Sequence, residues 1–138
     1  MILPDGWSTA TREGISVAFK RYTGRDRLQV LAWQQEHVEA VAAGSPLVEI
    51  AQRELQSECE AMAARIIDWP RGDTWTAQKL LELNGTDPAA WSWLSQLLYG
   101  PAWRDLESGG SESKKNYSRL LRCHQGIHRL LRVLVNAV

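Results

Sequence analysis

Ser45-Pro46-Leu47-Val48-Glu49-Ile50-Ala51-Gln52-Arg53-Glu54-Leu55-Gln56-Ser57-Glu58-Cys59-Glu60-Ala61-Met62-Ala63-Ala64-Arg65-Ile66-Ile67-Asp68-Trp69-Pro70 carries the strongest helical signal in the chain. Leu47, Ile50, Ala51, Leu55, Cys59, Met62, Ala63 and Ile66 recur at helical spacing and share one face. Glu49, Arg53, Glu54, Gln56, Glu58 and Glu60 fill the other faces. Ser45 suits an N-cap, and Pro46 suits a first helical residue because it has no N–H to leave unpaired. Pro70 cannot continue the helix. The stretch therefore predicts one amphipathic helix over residues 46–68.

On its N-terminal side, Leu28, Leu31, Ala32, Gln35, Val38, Val41 and Ala42 repeat at the same spacing. They predict a helix over residues 26–43, ended by Gly44. Before it, Ile15-Ser16-Val17-Ala18-Phe19 alternates as a strand does, with Gly14 as a turn residue. Residues 1–14 show no periodicity and read as extended or disordered. On the C-terminal side, Thr76 to Gly85 reads as a short helix with an Asn-Gly stop. Asp87-Pro88 starts another, over residues 88–99, which Gly100-Pro101 should end. A last short turn then holds Trp103 and Leu106. The fold class is mainly α: a small helical domain with a short N-terminal β segment.

Composition divides the chain. Residues 1–113 hold 10 Lys/Arg and all 16 Asp/Glu, a net charge of −6; residues 114–138 hold 6 Lys/Arg and no acid. Residues 1–106 form the expected acidic helical domain. Residues 107–116, rich in Ser and Gly, form the expected linker. Residues 117–138 place Leu120, Leu121, Ile127, Leu130, Leu131 and Leu134 among Arg119, Arg122, Arg129 and Arg132, as a basic amphipathic helix. That helix suits a protein partner or the body of the chain itself. Nucleic acid and a membrane surface are the lesser alternatives, because the acidic body repels phosphate.

Hydrophobic residues make up 44% and charged residues 23%, too apolar for a disordered chain. No signal peptide and no membrane-spanning run is legible, which predicts a cytoplasmic protein. Cys59 and Cys123 are too few for a disulfide framework and sit among apolar neighbours, as reduced structural thiols do.

Chemistry-bearing constellations are sparse. Cys123, His124 and His128 lie at ligand spacing on one helix face but lack a further ligand nearby, so the expectation is no metal and no cofactor. His37, between Glu36 and Glu39, reads as a surface residue. Glu54, Glu58 and Glu60 read as a solvated face, with no apolar pocket to raise a carboxyl pKa. No cysteine or serine has the flanks of a known nucleophile. Gly109-Gly110 lacks the strand, helix and lysine of a phosphate-binding loop. The expectation is no enzyme, no catalytic residue and no small-molecule substrate.

Tryptophan is the compositional anomaly: there are seven, and five fall within residues 69–103. A domain of this size cannot bury all of them, and exposed Trp is favoured where proteins meet. Trp69, Trp75, Trp91, Trp93 and Trp103 are the candidate partner-binding residues.

Arg12-Glu13-Gly14-Ile15-Ser16-Val17-Ala18-Phe19 runs into Arg27-Leu28-Gln29-Val30-Leu31 and Trp33-Gln34-Gln35-Glu36. A longer second helix then ends in Ala61-Met62-Ala63-Ala64-Arg65-Ile66-Ile67-Asp68-Trp69-Pro70. This order, over roughly residues 12–70, resembles the tail assembly chaperones of long-tailed bacteriophages, especially the lambda type. It does not extend to residues 71–106. In that family two forms arise by ribosomal frameshifting near the end of the first reading frame. Lys114-Lys115-Asn116 is compatible with a slippery codon run, or with a plain polar linker. The resemblance implies binding and solubilisation of the tape-measure protein, recruitment of tail-tube subunits, and no catalytic motif. A homo-oligomer is compatible with it. Two further readings stay open: a small phage-encoded helical protein that inhibits a host defence or regulatory complex, and a nucleic-acid-binding regulator.

Overall fold

The computed structural model describes residues 2–107, and the molecule is mainly α. Strands β1 (Trp7–Arg12) and β2 (Ile15–Lys20) form a hairpin. Helices α1 (Gly24–Ala42) and α2 (Leu47–Ala63) follow, then strand β3 (Ile66–Asp68) and helices α3 (Ala77–Thr86) and α4 (Pro88–Glu107). The expected linker and basic helix lie outside the described residues, apart from Glu107, which is the last residue of α4. Arg119, Arg122, Arg129, Arg132, Cys123, His124 and His128 lie outside them as well.

The hairpin turns on Glu13-Gly14, with Arg12 opposite Ile15. Both turn residues have positive φ, 37° and 86°. This is the primed geometry that matches the twist of the strands, and a glycine at its second position makes it accessible. The unpatterned N-terminal segment is thus a full strand, ordered by its pairing with β2. β2 is the central strand, and β3 pairs antiparallel on its other side, with Phe19 opposite Ile66.

β3 corrects the expected extent of the second helix. α2 stops at Ala63, and Ile66-Ile67-Asp68 joins the sheet instead. The Lys20 N–H donates to the Arg65 carbonyl at 3.1 Å, and the Trp69 N–H donates to the Ser16 carbonyl at 3.0 Å. β-Branched Ile66 and Ile67 favour a strand once a partner edge is present.

α4 corrects a second boundary. Gly100-Pro101 does not end it; the helix runs eight residues beyond its expected end at residue 99, to Glu107. Pro101 deprives the Leu97 carbonyl of its usual helical donor. Beyond it, Ala102 is fully buried and Trp103 and Leu106 pack against the core. Burial on that scale outweighs one lost backbone hydrogen bond.

The core joins every layer. Val17 from the sheet, Val30 and Trp33 from α1, and Leu55, Cys59 and Met62 from α2 meet Leu80 of α3 and Trp91, Leu94, Leu98 and Tyr99 of α4. α3 starts from Thr76, whose hydroxyl accepts the Lys79 N–H at 3.1 Å. The start of α1 is closed differently: the Thr23 N–H donates to the Asp26 carboxylate at 2.7 Å. Arg12 of β1 donates to the Ala89 carbonyl at 2.8 Å and ties the hairpin to α4.

Candidate functional site

The densest polar arrangement lies where the sheet, α1 and α4 meet. Arg65 sits in the turn between α2 and β3. It pairs with Asp26 at 3.0 Å, donates to the Lys20 carbonyl at 2.7 Å and to the Leu98 carbonyl at 3.2 Å, and lies 5.1 Å from the Tyr99 ring centre. Burial raises the Tyr99 phenol to about 12, against a smaller opposing pull from Arg65. Tyr99 is therefore neutral at physiological pH and unsuited to act as a base. Every donor of Arg65 that is placed by these contacts is committed to the protein, so the cluster fastens elements together.

Two expectations about polar residues are corrected. His37 is not a free surface residue: its Nδ1 lies 2.7 Å from Glu54 Oε1, joining α1 to α2. The glutamates of α2 are not one solvated face either. Glu58 is buried and Glu54 half-buried, while Glu60 is exposed and accepts from Gln56 Nε2 at 2.9 Å. The periodicity of α2 hid this, because a helix packed on two neighbours buries more than one stripe. Cys59 is a buried thiol outside any disulfide, as expected.

The five candidate tryptophans separate into two groups. Trp75 and Trp91 are core residues, which corrects their assignment to a partner. The Trp75 indole donates to Asp68 Oδ1 at 2.8 Å, and Lys79 Nζ lies 3.9 Å from the ring centre. The Trp91 indole points at Cys59 Sγ, 3.4 Å away. Trp33, never a candidate, is also core; its indole donates to Ser57 Oγ at 3.1 Å and its ring meets Tyr99 edge-on at 4.9 Å. Trp69, Trp93 and Trp103 stay half-buried. On α4, Trp93, Leu97 and Pro101 recur every four residues and are all half-buried, so they form a continuous apolar strip along one side of the helix.

A second apolar surface was not legible. Leu28 is 67% exposed, Leu31 and Val38 are 37% exposed, and Leu47 and Val48 at the start of α2 are 49% exposed. The periodic stripe that predicted the first helix therefore faces outward. The core side of α1 is Asp26, Val30, Trp33 and Gln34 instead. Trp33 was the available signal for that side, and the polar flanks Asp26 and Gln34 masked it.

Among the described residues, no group of three or more His, Cys, Asp or Glu is arranged to hold a metal ion. Among the same residues, no helix is long and apolar enough to cross a membrane. No family model matches the chain, and neither the curated proteins nor the solved structures give a match.

Proposed function

We propose that this chain is a non-catalytic, protein-binding chaperone of phage tail assembly, acting in the host cytoplasm. It binds and solubilises the tape-measure protein and recruits tail-tube subunits. The observation that carries this reading is the Trp93-Leu97-Pro101 strip on α4. An amphipathic client helix can lay its apolar face along such a strip, with indole and aliphatic anchors one turn apart. Two facts support it. The order of N-terminal β segment, first helix and second helix is the order on which the family resemblance rests, although α2, at 17 residues, is shorter than α1, at 19, and not longer as expected. The net negative charge of residues 1–113 would help keep a complex with a very apolar client in solution.

The test is co-expression of the full chain with the tape-measure protein of its own genome. The client is expected in the soluble fraction with this chain and in the pellet without it. Equal aggregation in both cases rejects the reading. Tight, steeply salt-dependent binding to duplex DNA would point to the nucleic-acid regulator instead.

A further inference from the structure

We propose that the outward face of α1 is a self-association surface, on which two copies of this chain pair antiparallel about a two-fold axis. Leu28, Leu31, Gln35, Val38 and Ala42 follow one another at spacings of three, four, three and four residues, the pattern of a coiled-coil seam. All five are exposed, on the side of α1 turned away from Val30 and Trp33. Leu28, Leu31 and Val38 are half of the six large hydrophobic residues exposed among the described residues.

The seam is nearly palindromic, and that selects a second copy as the occupant. In an antiparallel pair centred near Trp33, Leu28 of one copy faces Val38 of the other, and Leu31 faces Gln35. Each contact occurs twice, as an isologous interface requires. The residues bordering the seam on its outer side are Arg25, Ala32 and Glu39, all exposed. The same two-fold sets Arg25 of one copy beside Glu39 of the other, again twice, and sets Ala32 beside Ala32 close to the axis. Opposite charges thus meet at both ends, and the smallest side chains meet where the helices approach most closely. A parallel pair would place Arg25 and Glu39 of the two copies on opposite sides of the seam, where neither charge finds its match. Gln35 in the seam fixes the register at some cost in affinity. With three large apolar residues from each copy, the dimer forms reversibly with concentration. This surface lies on a different helix from the Trp93-Leu97-Pro101 strip, so pairing does not depend on the chaperone reading.

The test is sedimentation velocity of the full chain from micromolar to submillimolar concentration. A monomer–dimer equilibrium is expected. Leu31→Glu should raise its dissociation constant about tenfold or more, because the change is made on both sides of the axis. Its circular dichroism should match the wild type, because residue 31 is exposed. Arg25→Glu should weaken pairing about threefold to tenfold at low salt, and Arg25→Glu with Glu39→Arg should restore it. A dimer untouched by Leu31→Glu overturns the proposal, as does a double charge swap no tighter than the single one. A full chain that stays monomeric at every concentration also overturns it. In that last case a nitroxide at Leu31→Cys, in a Cys123→Ser background, reports whether the chain's own residues beyond Glu107 cover the face.

Discussion

The Asp26 carboxylate lies 3.0 Å from the Arg65 guanidinium, although Asp26 opens α1 and Arg65 lies in the turn between α2 and β3. Both side chains are about nine-tenths enclosed, at 8% and 11% exposure. A pair this buried is held by geometry, because each ion alone has lost its water. Asp26 also accepts the Thr23 N–H at the start of α1. Arg65 also holds carbonyls of Lys20 and Leu98. One ion pair therefore fixes where the sheet, α1 and α4 meet.

Arg65→Met should destabilise the fold by about 3–5 kcal/mol, because it strands the Asp26 charge. Asp26→Asn alone should cost less, since the amide is neutral and still accepts the Thr23 N–H. The double variant should cost less than the two single losses added together. Urea unfolding of the three variants checks this; additive losses would mean that the two groups are not coupled.

The fold class was legible because Leu55, Cys59 and Met62 repeat at helical spacing regardless of what surrounds them. The start of α2 was legible to within one residue, since Pro46 is the cap and Leu47 the first helical residue. Its end was not, because Ile66 lies four residues after Met62 and continues the same stripe. Only β2, distant in sequence, turns Ile66 into a strand residue. α1 was placed correctly and oriented wrongly for a similar reason. Leu28, Leu31 and Val38 outnumber Val30 and Trp33, and nothing local says which stripe α4 will cover. The tryptophans show the same limit: Trp91 and Trp93 are two residues apart on α4, and only packing makes one core and the other half-exposed.

Leu55 and Met62 test the stripe that did face inward; they are 5% and 0% exposed. Leu55→Ala and Met62→Ala should each cost about 2–5 kcal/mol through lost burial and a residual cavity. Leu47→Ala, on the same helix but 49% exposed, should cost much less. Thermal or urea unfolding of the three checks the contrast, and a change below about 0.5 kcal/mol in both core variants would contradict the packing.

Alkaline titration should single out Tyr99. Burial holds its phenol at about 12 in the folded state, against 10.0 for an ordinary tyrosine. The unfolded chain therefore releases this proton first. The stability that Tyr99 contributes is complete below about pH 10 and is lost as pH rises toward 12, on the order of 2–3 kcal/mol in all. Absorbance at the phenolate band should show a late step that disappears in Tyr99→Phe. Ionisation of Tyr99 together with the most exposed tyrosine would contradict its burial.

Trp91 and Trp93 should separate stability from binding. Trp91 is 5% exposed, and its indole contacts Cys59 across the core. Trp91→Ala should therefore cost about 3–5 kcal/mol of stability, and it is unsuitable as a binding probe. Trp93 is half-buried, so Trp93→Ala removes less packing and should leave a cooperative transition at slightly lower temperature. If the α4 strip receives the client, the same substitution should weaken client binding by about 2 kcal/mol or more, roughly thirtyfold. Leu97→Ala, one turn further along, should weaken binding in the same direction. Circular dichroism establishes that Trp93→Ala is folded, and titration against a soluble fragment of the client measures the affinity. Full affinity in a folded Trp93→Ala protein would move the client away from this strip.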